Sequence, residues 1–187
     1  MTGDGTIWLV RHAPTDWTGL RWCGRADPEL TPAGRDLARA VASSLAAEAP
    51  ARTPVWTSPL RRARETADAI AAALGSTMVV VNELIEVDVG RAEGLTWGEL
   101  SAREPDVAAA IERGGPVDWP VGESGADLAG RAATFARRAS AAAAIEGGIV
   151  VVSHGAFLHA LARALWEGES VPLEAGGILR IGARIAE

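Results

Sequence analysis

Apolar residues fall into two kinds of run along this chain. Ile7-Trp8-Leu9-Val10, Val55-Trp56, Met78-Val79-Val80-Val81 and Ile149-Val150-Val151-Val152 are short and continuous rather than alternating. Consecutive apolar positions suit strands covered on both faces, as inside a parallel sheet. The pattern predicts strands over Thr6–Val10, Val55–Thr57, Met78–Val81 and Ile149–Val152, and a last one over Gly177–Ile185, at the sheet edge. Longer Ala-rich stretches between them read as helices. Thr31-Pro32 is an N-cap followed by a first-turn proline, opening a helix that runs to about Glu48 and stops before Pro50. Ser58-Pro59 repeats the signal ahead of a helix over Leu60–Leu74, closed by Gly75. Further helices are expected near Trp97–Arg103, over Leu128–Ile145 and over Ala156–Trp166. Arg11–Leu30 and 82–96 read as loops. Glu104–Gly125, with Pro105, Gly114-Gly115-Pro116, Pro120 and Gly122, reads as irregular. Strands alternating with helices imply an α/β three-layer sandwich, with a largely parallel central sheet, helices on both faces and a small cap insertion at about 91–127. The 187 residues suit a single domain over 1–187.

Composition narrows the function classes. An apolar fraction of 48% with 22% charge belongs to a globular protein, and a net charge of −6 speaks against a nucleic-acid partner. All 18 basic residues are Arg and Tyr is absent, a bias that fits genome composition better than function. Cys23 is the only cysteine, which excludes an internal disulfide and metal sites built on several thiolates. No leader pattern and no apolar run of roughly 18 residues is present, so no membrane partner and a cytoplasmic location are expected. Nothing in the sequence indicates an oligomeric state.

The chemistry concentrates where strands end. Ligands of open α/β sheets bind beyond the carboxyl ends of the strands. The first strand delivers Arg11 and His12 there. The second delivers Thr57-Ser58 and a helix start carrying Arg61, Arg62 and Arg64. The fourth delivers Ser153, His154 and Gly155. Guanidinium forks and imidazoles beside a helix N-terminus make a site for an anion such as phosphate. A histidine in such a site serves as general base, or as a nucleophile toward phosphorus. Nearby Arg charges favour the neutral form that attack requires. Glu86, in the loop after the third strand, is the carboxylate best placed by chain order to protonate a leaving alcohol. Other constellations fare worse. His154 and His159 are about 140° from aligned on a helix, unlike a zinc-binding pair. Gly122-Glu123-Ser124-Gly125 lacks one residue of a nucleophile elbow.

These residues resemble the histidine phosphatase superfamily, in its phosphoglycerate-mutase-like branch. The resemblance is carried by Leu9-Val10-Arg11-His12, by Cys23-Gly24-Arg25 with Leu30-Thr31-Pro32-Ala33-Gly34-Arg35, by Thr57-Ser58-Pro59-Leu60-Arg61-Arg62-Ala63 with Thr66-Ala67, by Leu84-Ile85-Glu86 with Gly90 and Glu93-Gly94, and by Val151-Val152-Ser153-His154-Gly155. They occur in the family's order over nearly the whole chain. The resemblance implies that His12 is the nucleophile that becomes phosphohistidine. It implies that Arg11, Arg62 and His154 hold the phosphoryl group, and that Glu86 protonates the leaving oxygen and later activates water. Thr18, Cys23, Gly24 and Gly155 are expected to contact substrate, a small phosphorylated metabolite. No metal or other cofactor is implied. Three positions depart from the family pattern: Ala13 stands for Gly, Pro14 for Glu and Thr18 for Asn. They bear on pocket shape and substrate preference more than on the reaction.

Mutases of this family carry a larger cap with basic residues. Between Ser101 and Asp127 this chain has Arg103 and Arg113 against six acidic residues, a balance of −4 that repels a bisphosphate. The expected function is therefore a metal-independent phosphatase acting on a small phosphate monoester. The alternatives are mutase-type phosphoryl transfer, or a catalytically silent binding protein on the same fold. Trp17, Trp22, Trp97 and Trp119 fall near the expected mouth, where they either stack on a leaving group or pack the loops. Trp8 and Trp56 lie within strands and read as core. Arg25 reads as pocket rim or surface, and Arg61 and Arg64 as solvated.

Overall fold

The computed structural model describes residues 5–114, 116–166 and 172–182. Its strands are β1 (Thr6–Arg11), β2 (Val55–Thr57), β3 (Met78–Val80), β4 (Gly148–Ser153) and β5 (Ile178–Gly182). Its helices are α1 (Pro32–Glu48), α2 (Arg61–Leu74), α3 (Trp97–Arg103), α4 (Pro105–Glu112), α5 (Gly125–Glu146) and α6 (Gly155–Leu165). The strands form one sheet in the order β3-β2-β4-β1-β5. All neighbours are parallel except β5, which runs antiparallel along β1 at the edge. The chain steps from β1 to β2 to β3 in one direction, then turns back to insert β4 between β2 and β1. Right-handed crossovers require that reversal to change faces. Accordingly α1 and α2 pack on Trp8, Val10, Val150 and Val152, while α5 and α6 pack on Ile7, Leu9, Ile149 and Val151. Alternate residues of β1 and β4 thus feed two cores, which is why both strands read as unbroken apolar runs. A third, smaller cluster of Val87, Val89, Ala92, Leu100, Val107 and Trp119 lies apart from the sheet. Among the described residues no helix is long and apolar enough to cross a membrane.

Thr31 caps α1 as expected, its hydroxyl accepting from the Gly34 amide at 2.9 Å, and Gly75 closes α2 in a left-handed conformation. Ser58 does not cap α2, which begins at Arg61 without a side-chain cap of its own. Instead Asp27, from the loop after β1, accepts from the Arg61 amide at 2.6 Å. The segment expected to be irregular contains α4, with Pro105 in its first turn, where a missing N–H is harmless. α5 starts at Gly125 rather than Leu128, because Ser124 caps it by accepting from the Asp127 amide at 3.0 Å. β5 occupies Ile178–Gly182, and the remainder of the strand expected to Ile185 lies outside the described residues.

Candidate active site

The ends of β1 and β4 create the centre of the site. Arg11 pairs with Ser153 in the parallel register, and the His12 amide extends the ladder by donating to the Ser153 carbonyl at 2.9 Å. His12 and His154 therefore leave adjacent strands side by side, their ring centroids 5.1 Å apart. His12 Nδ1 lies 2.8 Å from the Ala13 carbonyl, which can only accept. That contact assigns the proton to Nδ1 and leaves Nε2 with a free lone pair. Arg62 Nε donates to that lone pair at 3.2 Å. Burial, and then the Arg62 charge, lower the His12 pKa from 6.5 to about 3, against an opposing contribution from the Ala13 carbonyl. The ring is neutral at neutral pH.

His154 is fully buried one layer behind, its Nε2 2.7 Å from the Ser58 hydroxyl. Ser58 also accepts from the Leu60 amide at 3.2 Å, and its own hydrogen can turn to Nε2, the arrangement in which His154 carries its proton on Nδ1. That Nδ1 has no partner. Burial and the Arg62 charge hold His154 well below the usual imidazole range. Arg62, in the first turn of α2, is 1% exposed. Its terminal nitrogens donate to the carbonyls of Ala26 at 2.5 Å and Gly24 at 2.9 Å. No carboxylate pairs with it among the described residues, and burial lowers its pKa. Arg11 donates from Nη1 to the Leu173 carbonyl at 2.8 Å, while its Nε is buried without a partner. The guanidinium lies so close to Gly155 that a Cβ there would stand 3.3 Å from Cζ.

Glu86 closes the opposite side. Its carboxylate accepts from the Val87 amide at 2.9 Å and from the Phe157 and Ala156 amides at 3.0 and 3.2 Å. It therefore sits on the N-terminus of α6, where orphan N–H groups point at an acceptor. The first three of the sequence-predicted substrate contacts belong to the loop after β1. Thr18 is folded back, its hydroxyl accepting from the Thr15 amide at 2.9 Å. Cys23 Sγ lies 3.6 Å from the Ala26 carbonyl, and burial pushes its thiol pKa up. Gly24 holds Arg62 through its carbonyl at a φ of 50°, and a side chain there would strike Val89.

Apart from His154, which is fully buried and does not line it, these groups enclose an open cleft of about 340 Å³. Arg11, His12, Arg62, Glu86 and Gly155 line its floor, and Thr18, Cys23 and Gly24 its side. Trp22, Trp97 and Trp119 line the cleft as well, whereas Trp17 packs on Gly94. Arg25 turns away to Asp88 and Glu123, Arg61 pairs with Glu29 and Glu65, and Arg64 is exposed. Among the described residues no three His, Cys, Asp or Glu side chains are arranged to hold a metal ion.

Several supporting residues carry no role in the sequence reading. Thr66 accepts from the Ala13 amide at 3.0 Å and donates to the Arg62 carbonyl at 2.9 Å, tying the His12 turn to α2. Glu93 accepts from the amides of Arg25 and Ala26 at 3.0 and 2.8 Å, shaping the loop whose carbonyls hold Arg62. Ser58, Thr66 and Glu93 all lie in the recognised motifs, which was the available signal. Arg131, on α5, lies in none. It reaches the carbonyls of Glu83 and Ile85 at 2.8 and 2.7 Å, immediately before Glu86.

A sequence profile of the histidine phosphatase superfamily (branch 1) matches residues 7–176. Phosphoglycerate mutase-like protein 4 of Arabidopsis thaliana is 36% identical over 159 residues, 83% of this chain and 68% of that protein. A bifunctional protein of Mycobacterium tuberculosis is 36% identical over 121 residues, 64% of this chain, and that match spans only 33% of the relative's length. Among solved structures, a mycobacterial glucosyl-3-phosphoglycerate phosphatase complexed with VO3 superposes with a TM-score of 0.84 at 27% identity, covering 94% of this chain and 90% of that one. The chain belongs to the histidine phosphatase superfamily.

Proposed function

We propose that this superfamily member is a metal-independent phosphatase that hydrolyses a small phosphate monoester through a phosphohistidine at His12. One observation carries the reading: Arg62 Nε donates to the unprotonated Nε2 of His12, and Arg11, which lines the same cleft, has its Nε buried without a partner. A buried donor left unpaired is costly, and a tetrahedral dianion in the cleft would satisfy it. In this reading the Arg62 Nε–H moves from His12 to a phosphoryl oxygen as substrate enters. His12 Nε2 then bonds to phosphorus while the P–O bond to the alcohol breaks, and Glu86 gives its proton to the departing oxygen. The Nδ1–H···Ala13 contact lets the ring carry the positive charge that develops. Glu86 next takes a proton from water, whose oxygen attacks phosphorus as the P–N bond breaks, returning neutral His12 and inorganic phosphate. The cationic groups stabilise the equatorial oxygens throughout, the role electrostatics plays in phosphoryl transfer generally.

The segment 91–127 is the proposed cap of a single 1–187 domain. Its acidic balance favours hydrolysis of a monoester over mutase-type transfer between anions. The phosphatase name of the mycobacterial relative supports the same reaction class. Neither a nucleic acid nor a membrane is a partner in this proposal, and the enzyme works in the cytoplasm. The test is hydrolysis of p-nitrophenyl phosphate with chelator present, with trapping of the intermediate by alkaline quench. Phosphate should be found on the peptide containing His12 and be lost in acid, and His12→Ala should be inactive. Full activity in His12→Ala overturns the proposal.

A further inference from the structure

Phosphoryl transfer leaves one wall of the cleft without a task. Trp22 and Trp119 have ring centroids 5.3 Å apart, and Trp22 and Trp97 6.4 Å. They come from three separate segments, and Val87, Val89 and Leu20 extend the surface they make. The wall is anchored rather than draped. Trp22 exchanges backbone hydrogen bonds with the Gly94-Leu95 turn, at 2.8 and 2.9 Å. Trp97 opens α3 directly behind a complete Thr96–Glu99 capping box. Yet Trp97 remains 43% exposed and Leu20 66%. Large apolar side chains held open beside a reaction centre are what a ligand of apolar body covers.

Charge points the same way. Arg21 is the only cation lining the cleft besides Arg11 and Arg62, and it donates to the Gly94 carbonyl at 2.7 Å beside Glu99. Arg25, the next along the loop, is bound to Asp88 and Glu123. Among the described residues, the one cation left near a second phosphate or a carboxylate on the leaving group is Arg21, whose Nη1 is already held by a carbonyl beside Glu99.

We propose that this wall is the leaving-group subsite and that it selects monoesters of uncharged apolar alcohols, aryl or medium-chain alkyl, over sugar phosphates and polyanions. The proposal rests on the phosphatase reading above. It is tested with the full chain on methyl, propyl and hexyl phosphate, 1-naphthyl phosphate, glucose 6-phosphate and 3-phosphoglycerate. The n-alkyl leaving groups differ little in chemistry, so a trend among them reports burial. From propyl to hexyl phosphate, kcat/KM should rise about two- to fourfold per methylene. 1-Naphthyl phosphate should exceed 3-phosphoglycerate and glucose 6-phosphate by at least about tenfold. Trp97→Ala, and separately the surface change Leu20→Ala, should shrink the hexyl-to-methyl ratio. Hydrolysis with a flat alkyl series, or with a sugar phosphate or 3-phosphoglycerate as best substrate, overturns this proposal alone. Hydrolysis of none of the esters overturns it together with the phosphatase reading.

Discussion

In the proposed mechanism Arg131 positions Glu86, and its replacement should separate leaving groups by their need for a proton. Its guanidinium bonds both Glu123 oxygens, at 2.9 and 2.7 Å, and the carbonyls of Glu83 and Ile85, and it stacks 4.7 Å above the Phe157 ring. Arg25 adds a donor to the Glu86 carbonyl itself at 3.3 Å. The backbone on both sides of the Glu86 Cα is thus gripped, while its carboxylate rests on α6. The Arg131–Glu123 pair is 18% and 10% exposed, so Arg131→Met, which removes one partner from a largely buried network, should cost about 2–4 kcal/mol of stability. Arg131→Lys keeps the charge but cannot span four acceptors, and should cost less. The chemical effect is selective. General acid catalysis is worth about 10²–10⁴-fold, so a displaced Glu86 should lower kcat/KM for propyl phosphate by about 10–100-fold while p-nitrophenyl phosphate, whose leaving group departs unprotonated, stays within about threefold. Steady-state kinetics on both esters, with urea unfolding of each variant, measures the two effects separately. An equal loss on both esters would show that Arg131 supports only the fold.

Acid should destabilise the protein in a window set by its histidines. The unfolded chain takes up protons on His12 below pH 6.5, whereas folded His12 refuses them down to about pH 3, and His154 shifts in the same direction. Stability from this source is complete above pH 6.5 and drains as pH falls, with a slope approaching about 1.4 kcal/mol per pH unit per histidine, or about 2 kcal/mol from His12 alone by pH 5. Urea titrations at pH 7.5 and 5 on the wild type and His12→Asn should show the smaller drop in the variant; equal drops refute the assignment. Gly155→Ala places a methyl 3.3 Å from Arg11 Cζ, while helix propensity at that position improves. KM and the inhibition constant of inorganic phosphate should each rise by about three- to tenfold with an unchanged melting temperature; unchanged phosphate affinity would remove Arg11 from the site.

The strands and the sheet class are legible in the sequence because β1 and β4 feed two cores and so carry no polar face to confuse the pattern. The convergence of Arg11, His12, Arg62 and His154 follows from the same pattern, since strand ends in a parallel sheet share an edge. Punctuation residues misled where tertiary contacts had claimed them. Ser58 looks like a helix cap, yet its hydroxyl serves His154, and the capping passes to Asp27 from a distant loop. Pro105 looks like a breaker and opens α4. Gly125 and Gly130 obscure the first turns of α5, although Ser124 and Asp127 form a cap beside them. Arg131 and Glu123 were invisible because their meaning lies in carbonyls and amides far along the chain, which no residue pattern records.

The central place of β4 also dictates when the enzyme can exist. β1 and β2 share no hydrogen bonds, so until β4 enters, the sheet is two unconnected pieces. Arg11 and Ser153, paired in the finished register, are about 140 residues apart, and closing so long a loop costs about 4 kcal/mol of chain entropy before any contact repays it. Pairings of this range are slow to form. A nascent chain that has reached the end of α5 already contains His12, Arg62 and Glu86, but no strand pairing yet joins the strand that carries His12 to the strand that leads into Arg62. Catalytic competence therefore arrives with the last of the parallel strands, and the regain of activity during refolding is a clock for that single insertion.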